Sequence, residues 1–399
     1  MKVFRKVGGR LKKWAIQVRN SRAEAIADVT KEAIRDLASE QYFDLPPEFT
    51  SYIEEYERRE GALQSIADYR DHFIHPFHVF CLGYRILDRW IEALVRKEIE
   101  RLPLYLTENQ DPDYNLKACF IASIYHDVGF PSEKLEILIH DFFKTTAGRE
   151  LRSQFDWSPL ILADDNVRHI HGLSELFGRK SGNQDVANIS FEKWFDKRLL
   201  EDHDHGALTA LMLLSRGWRT EEEYNMAKEA ALAIALHSYR CNSKEKGLMD
   251  FNIGQLPVEN LPLAFFLTYC DSAQEWGRKV LLELIRKSTK AGATNTAQHF
   301  SGLNSKLEAP VPVLFKEMVS NGERIKTTVI IKYPIGAESP ISGGETLREV
   351  FTEVAKRFQS TWYLRNQKEK DFWIQGNDVD DLPIEYLHPS PRPSYSKPA

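Results

Sequence analysis

Five short segments of this chain end on side chains that bind metals. They are His75 in DHFIHPFHVF, His126 and Asp127 in IASIYHDVGFP, His205 in DHDHGALTAL, His237 in ALAIALHSY and Asp271 in FFLTYCDSAQEWGR. Each lies in or beside an apolar stretch with helical spacing. One buried imidazole costs little when it finds a partner. Several buried His and Asp positions need something cationic where they meet. A chain built this way must bring several helices to one interior point, which is how helical bundles make sites from residues distant in sequence. Neutral imidazoles with carboxylates are the ligand set of iron, manganese, nickel or zinc.

The rest of the pattern supports a mainly α fold. From about residue 24 to 290 apolar residues recur at helical spacing, as in IEEYERREGALQSIADYRDHFIHPFHVFCLGYRILDRWIEALVRKEIERL. NLKACFIASIYHDVGF is a short apolar helix that Gly129 and Pro131 stop. Residues 152–200, with Gly172, Gly178 and Gly182, look less regular. Near residue 291 the pattern changes. AGATNTAQHFSGLNSKLEAP has the composition of a linker, and VPVLFKEMV and RIKTTVIIKYP then alternate as strands. TLREVFTEVAKRFQ has helical spacing, and STWYLR suits a third strand. The expected organisation is a basic arm over 1–35, a helical metal domain over 36–290 and a linker over 291–309, then a small α+β appendage over 310–366 and a Pro- and Ser-rich tail over 367–399.

Residues 1–22 hold eight Lys or Arg and no acid, with apolar residues at helical spacing. Such a basic amphipathic helix either contacts anionic lipid or nucleic acid or packs on the body, and packing is the favoured expectation. The net charge of −5 argues against a molecule that coats nucleic acid or membrane as a whole. The four scattered cysteines form no CxxC pair and lie near apolar helical stretches, which suits free buried thiols. Without a secretory leader pattern or a membrane-length apolar run, the expected location is cytoplasmic.

His126 and Asp127 are adjacent, and adjacent helical side chains diverge by roughly 100°. One ion cannot easily take both head-on, but a carboxylate bridging two ions, with the imidazole on one of them, suits that divergence. Two choices stay open in the residues alone. His72, His75 and His78 are three apart and share a helix face. His203 and His205 compete in DHDHG, where the following Gly favours His205. His169 and His171 in VRHIHG look like surface residues or substrate contacts on an extended segment.

The ordered set His, His-Asp, His, His, Asp, spread over about residues 65–285, resembles the HD-domain superfamily of metal-dependent phosphohydrolases. The context agrees: His75-Pro76-Phe77-His78-Val79 is similar to the family's first histidine, and Asp271 with Arg278 is similar to the family's last Asp, which opens a helix that often carries an Arg. The resemblance implies an HD-domain-like helical bundle with one to three divalent transition-metal ions. One ion would take His75, His126, Asp127 and Asp271, and a second would take the bridging Asp127 with His205 and His237. The chain departs from the cyclic-dinucleotide subclass, because HDVGFP has Phe130 and Pro131 where that subclass has Lys after the Gly, and no GYP motif follows.

The implied chemistry is hydrolysis of a phosphate ester, such as a nucleotide or cyclic (di)nucleotide, by a metal-activated hydroxide. Asp127 would bridge, while Arg70, His72, Arg240, Arg278 and Lys279 would hold phosphate. His78, Asp202 or Asp204 would relay the leaving-group proton, with Arg278 also at the reacting centre. Expected partners are a small phosphorylated substrate and a second copy of the chain. The rival expectation is a metal-containing sensor or scaffold, and a metal-dependent oxygenase on the same ligands is a third.

Overall fold

The computed structural model of the chain describes residues 2–20, 25–54, 73–96, 105–130, 164–181, 184–200, 204–237 and 260–271, and the strands at 313–318, 326–333, 361–367 and 371–377. The described part is mainly helical, as the periodicity implies. The helices are α1 (Lys2–Asn20), α2 (Ile26–Ala38), α3 (Ile74–Val95), α4 (Pro112–Tyr125), α5 (Asp164–Ser181), α6 (Gln184–Leu200), α7 (His205–Leu214) and α8 (Glu221–His237). A further helical run covers 262–271. Among the described residues between 65 and 285 there is no strand. Nor is any described helix long and apolar enough to cross a membrane.

Two helices form the centre. α4 begins with Asp111, whose carboxylate accepts the Asp113 N–H at 3.2 Å, and with Pro112 at the first helical position. Asn115, Leu116 and Ala118 to Tyr125 are all buried. A helix that is apolar all round belongs in a core rather than at a surface. Asn115 and Ser123 are its buried polar residues, and Asn115 is satisfied. Its carbonyl oxygen accepts from Leu106 N at 2.5 Å and Thr107 N at 3.1 Å, while its amide donates to Asn109 O at 2.6 Å and Asp111 O at 2.8 Å. In α8, Met226, Ala227 and Ala230 to His237 are buried, and the small alanines allow close helix approach. Rings from three segments pack at the centre: Phe43 and Phe120 at 4.8 Å, Phe80 and Phe120 at 4.9 Å, Phe49 and Tyr125 at 4.9 Å. Each such ring contributes on the order of 1.5–3 kcal/mol by leaving water.

α1 packs on this body through Phe4, Val7, Trp14 and Val18, the favoured expectation for the basic segment. Its Arg10 pairs with Asp36 at 2.8 Å, and Trp14 donates to Thr30 Oγ1 at 3.2 Å. The stretch expected to be irregular holds two regular helices, α5 and α6, a correction to the reading of 152–200. They associate through Phe177 stacked on Phe191 at 4.9 Å, beside buried Trp194 and Phe195. Cys119 and Cys270 are buried and free, and Cys81 is half-buried and free; Cys241 lies outside the described residues.

Near the C-terminus, β1 (Val313–Met318), β2 (Lys326–Tyr333), β3 (Thr361–Gln367) and β4 (Asp371–Asn377) form one antiparallel sheet in the order β1-β2-β4-β3. The first three strands match the expected segments. β4 lies within 367–399, which the composition had assigned to a tail, so that stretch contains structure. It pairs with both β2 and β3, as in Ile331↔Ile374 and Leu364↔Ile374. The expected helix over 346–359 and linker over 291–309 lie outside the described residues.

Gly83 sets the spacing of the helices that carry the metal-binding side chains. A Cβ there would sit 2.8 Å from Cys119 Sγ of α4 and 3.1 Å from Phe266 Cε1 of the 262–271 run. Gly83→Val should force these helices from α3 and lower stability by roughly 1–3 kcal/mol, the usual cost of overpacking. Chemical denaturation of the variant beside wild type measures this.

Candidate metal centre

The six candidate ligands converge. Five of them come from helix ends, and helix pairing explains how. The start of α3 supplies His75 and the exit from α4 supplies His126 and Asp127. α7 starts on His205 and α8 ends on His237. In each antiparallel pair the start of one helix lies beside the end of the next. Asp271 closes the described part of the 262–271 run. That helix is already under way before Asp271, so the aspartate does not open it, as the resemblance had implied.

The geometry divides the six into two groups. His75, His126 and Asp271 offer ligand atoms within 4.8 Å of one another, and so do Asp127, His205 and His237. His75 Nε2 meets Asp271 Oδ1 at 2.8 Å. His126 Nε2 lies 3.5 Å from both Asp271 Oδ1 and Asp127 Oδ2. Asp127 Oδ2 is also 3.9 Å from His75 Nε2, whereas Asp127 Oδ1 is 3.6 Å from His205 Nε2. His205 Nε2 and His237 Nε2 face each other at 3.3 Å. One carboxylate thus turns one oxygen to each group.

The tautomers follow from the backbone. His126 donates from Nδ1 to Ser123 O at 2.7 Å, and His237 does the same to Ile234 O. In each neutral ring Nε2 then carries the lone pair, the atom a metal uses. His126 Nε2 is buried with no hydrogen-bond partner. His237 presents a lone pair at His205 Nε2, a contact that needs a proton or a cation between the rings. An orphaned buried nitrogen and two facing nitrogens fit a donor set for divalent metal.

The electrostatics agree. Burial opposes charge on His126, yet Asp127 and Asp271 outweigh it and raise its pKa to about 9. At 3.5 Å these carboxylates attract it by charge more than by hydrogen bonding. Burial, then the His205 and His126 rings, lower His237 to about 4. Burial would raise Asp271, but His126 and His75 hold its carboxyl well below the usual range. The site therefore favours positive charge beside its carboxylates.

Two expected proton relays have other surroundings. Asp204 is the N-cap of α7: one oxygen accepts from Ala207 N at 3.0 Å, and the other takes Arg198 Nη2 at 2.7 Å. Both oxygens are engaged in holding the helix that begins at His205, so Asp204 positions that ligand. His78 turns its ring to the edge of Trp14, 5.6 Å between centroids, and is not in either ligand group. His169 and His171 lie on helix α5 rather than on an extended segment, bound to Tyr224 Oη at 3.0 Å and Glu192 Oε1 at 3.0 Å. Arg70, His72, Asp202, His203, Arg240, Arg278 and Lys279 lie outside the described residues.

Sequence reasoning missed Thr209, for which no local signal exists. Its buried hydroxyl accepts the Gly129 N–H at 2.7 Å and so ties the turn after Asp127 to α7. Gly129 does more than stop a helix. A Cβ there would lie 2.7 Å from both His205 O and Thr209 Oγ1. Phe130 completes the contact, edge-on to His205 at 5.6 Å between centroids. No protein-family model, curated protein or solved structure matches this chain.

Gly129→Ala should push His205 away from Asp127 and cost about 1–3 kcal/mol of stability. Denaturant titration measures the stability, and metal content per chain reads the displacement. His78 gives a pH signature. Burial lowers its pKa from 6.5 to about 4, so the unfolded chain takes up a proton before the folded one. Its contribution is present above 6.5 and drains away as pH falls toward 4. His78→Phe should show a shallower loss of stability than wild type across that window in urea melts.

Proposed function

We propose that this protein is an HD-type metal-dependent phosphohydrolase that holds two divalent transition-metal ions and cleaves a phosphate ester, a nucleotide or cyclic (di)nucleotide by substrate class. The observation that carries the reading is Asp127, with Oδ2 toward His75 and His126 and Oδ1 toward His205. His75, His126, Asp127 and Asp271 would hold one ion, and Asp127, His205 and His237 the other. On this reading the helical body is an HD-like bundle and the sheet is its C-terminal appendage.

Bound there, such ions supply a nucleophile at neutral pH and Lewis acidity toward phosphoryl oxygens. The chain's own residues do the rest. The Nδ1–H bonds of His126 and His237 fix their rings with Nε2 inward. The second group offers three protein donors, one of them the partly exposed His205, the pattern of a catalytic position that admits a further ligand. Arg70, His72, Arg278 and Lys279 are the proposed phosphate contacts. The ligand set suits iron, manganese, nickel or zinc.

The test is elemental analysis of the purified protein together with a screen of nucleotides, cyclic nucleotides and simple phosphate esters. Asp127→Ala leaves two cations without their shared negative charge, so it should lose bound metal and reduce turnover by more than the ~10–100-fold typical of outer-shell substitutions. Full metal and full turnover in Asp127→Ala would overturn the bridging role. If wild type binds metal but cleaves nothing in the screen, the metal-containing sensor or scaffold replaces the enzyme.

A further inference from the structure

α1 separates its residues cleanly by side. Phe4, Val7, Arg10, Trp14 and Val18 are buried against the body. Lys2, Arg5, Lys6, Lys12 and Lys13 are exposed, and so are Gly9 and Ile16. At ~100° per residue the seven exposed positions fall within about 120° of the helix circumference, opposite the buried face, and span roughly 21 Å along its axis. No acid lies anywhere in residues 1–20, although the whole chain carries a net charge of −5. The strip is therefore positive on a molecule whose net charge is negative. The buried Arg10 is neutralised by Asp36 at 2.8 Å. Among the described residues Lys2, Arg5, Lys12 and Lys13 have no ion-pair partner, and Lys6 reaches only the Gln41 carbonyl at 3.3 Å.

We propose that the outer face of α1 docks this protein on an anionic lipid surface. Three features favour lipid over nucleic acid. The strip follows a single helix of about five turns, so its five cations can face a plane together. Four of its five cations are lysines, which act as point charges toward any anionic headgroup, whereas base-edge reading in duplexes leans on the arginine fork. Its exposed non-polar side chain is Ile16, 56% accessible and in line with the cations, while the one aromatic ring of the central turns, Trp14, is buried. An aliphatic tip among lysines suits the headgroup boundary, and single-strand binding needs exposed rings for stacking. The helix does not insert, because its apolar face is already covered by the body. Attachment is peripheral and electrostatic, so it weakens with salt.

The experiment is co-sedimentation of the full chain with vesicles of phosphatidylcholine alone and of phosphatidylcholine with phosphatidylserine, at low and raised salt. Binding to the serine-lipid vesicles alone, reversed by salt, is the expected result. Each basic residue near an anionic surface is worth about fivefold in affinity. Joint replacement of Lys2, Arg5, Lys12 and Lys13 by Gln should therefore weaken binding at least about 100-fold. The Lys2→Arg, Lys12→Arg, Lys13→Arg variant keeps the charge and should bind like wild type, with circular dichroism showing that both variants keep wild-type helix content. Equal binding to neutral vesicles, wild-type binding by the Gln variant, or binding to duplex DNA without binding to vesicles would each overturn the proposal. None of these outcomes depends on metal content or turnover.

Discussion

The arrangement around Asp127 is the constraint on which the rest of the molecule depends. Four imidazoles and two carboxylates lie within a few ångströms of one another, mostly out of water. Such a cluster is unfavourable as neutral groups facing like groups and as charges in a low dielectric. It is tolerable only where lone pairs and negative charges share a positive centre. The surrounding fold can be understood as what is needed to force these side chains together. α4 and α8 are buried nearly all round, so their ends are fixed by packing on every side. The glycines at 83 and 129 then let neighbouring segments approach to contact.

The supporting interactions are uneven in strength. The apolar centre supplies the bulk of the stabilisation, since each buried ring outweighs an exposed ion pair several-fold. The polar contacts decide direction instead. Asp204 holds the start of α7 through a backbone N–H and Arg198, and Thr209 holds the turn that follows Asp127. Packing makes the bundle stable, and a handful of hydrogen bonds make it present the right atoms.

Much of this could be read from the chain. Apolar runs that end abruptly on His or Asp are unusual, and the six positions chosen for that reason meet among the described residues. The N-terminal segment showed its buried face through spacing alone. The failures have both local and non-local causes. His78 shares a helix face with His75, but Trp14, from a helix some sixty residues earlier, takes its ring. Asp204 looked like any carboxylate near a metal, although an Asp just before an apolar helix is also a capping signal. Gly172 and Gly178 suggested irregular chain, yet α5 runs through both because α6 packs along it. β4 was hidden in a stretch that ends Pro- and Ser-rich, although it follows β3 after three residues; its second partner, β2, lies further back.

The carbonyls that orient His126 and His237 belong to Ser123 and Ile234, one turn back on the same helices. Metal-binding histidines commonly rely on a neighbouring carboxylate for this purpose. Here the orienting acceptor is part of the main chain, and no substitution of side chain removes it. Positions 123 and 234 are thereby held by packing and not by the need to supply an acceptor. Among divergent descendants of this chain, the two rings would keep their facing through any change beneath them that the packing admits.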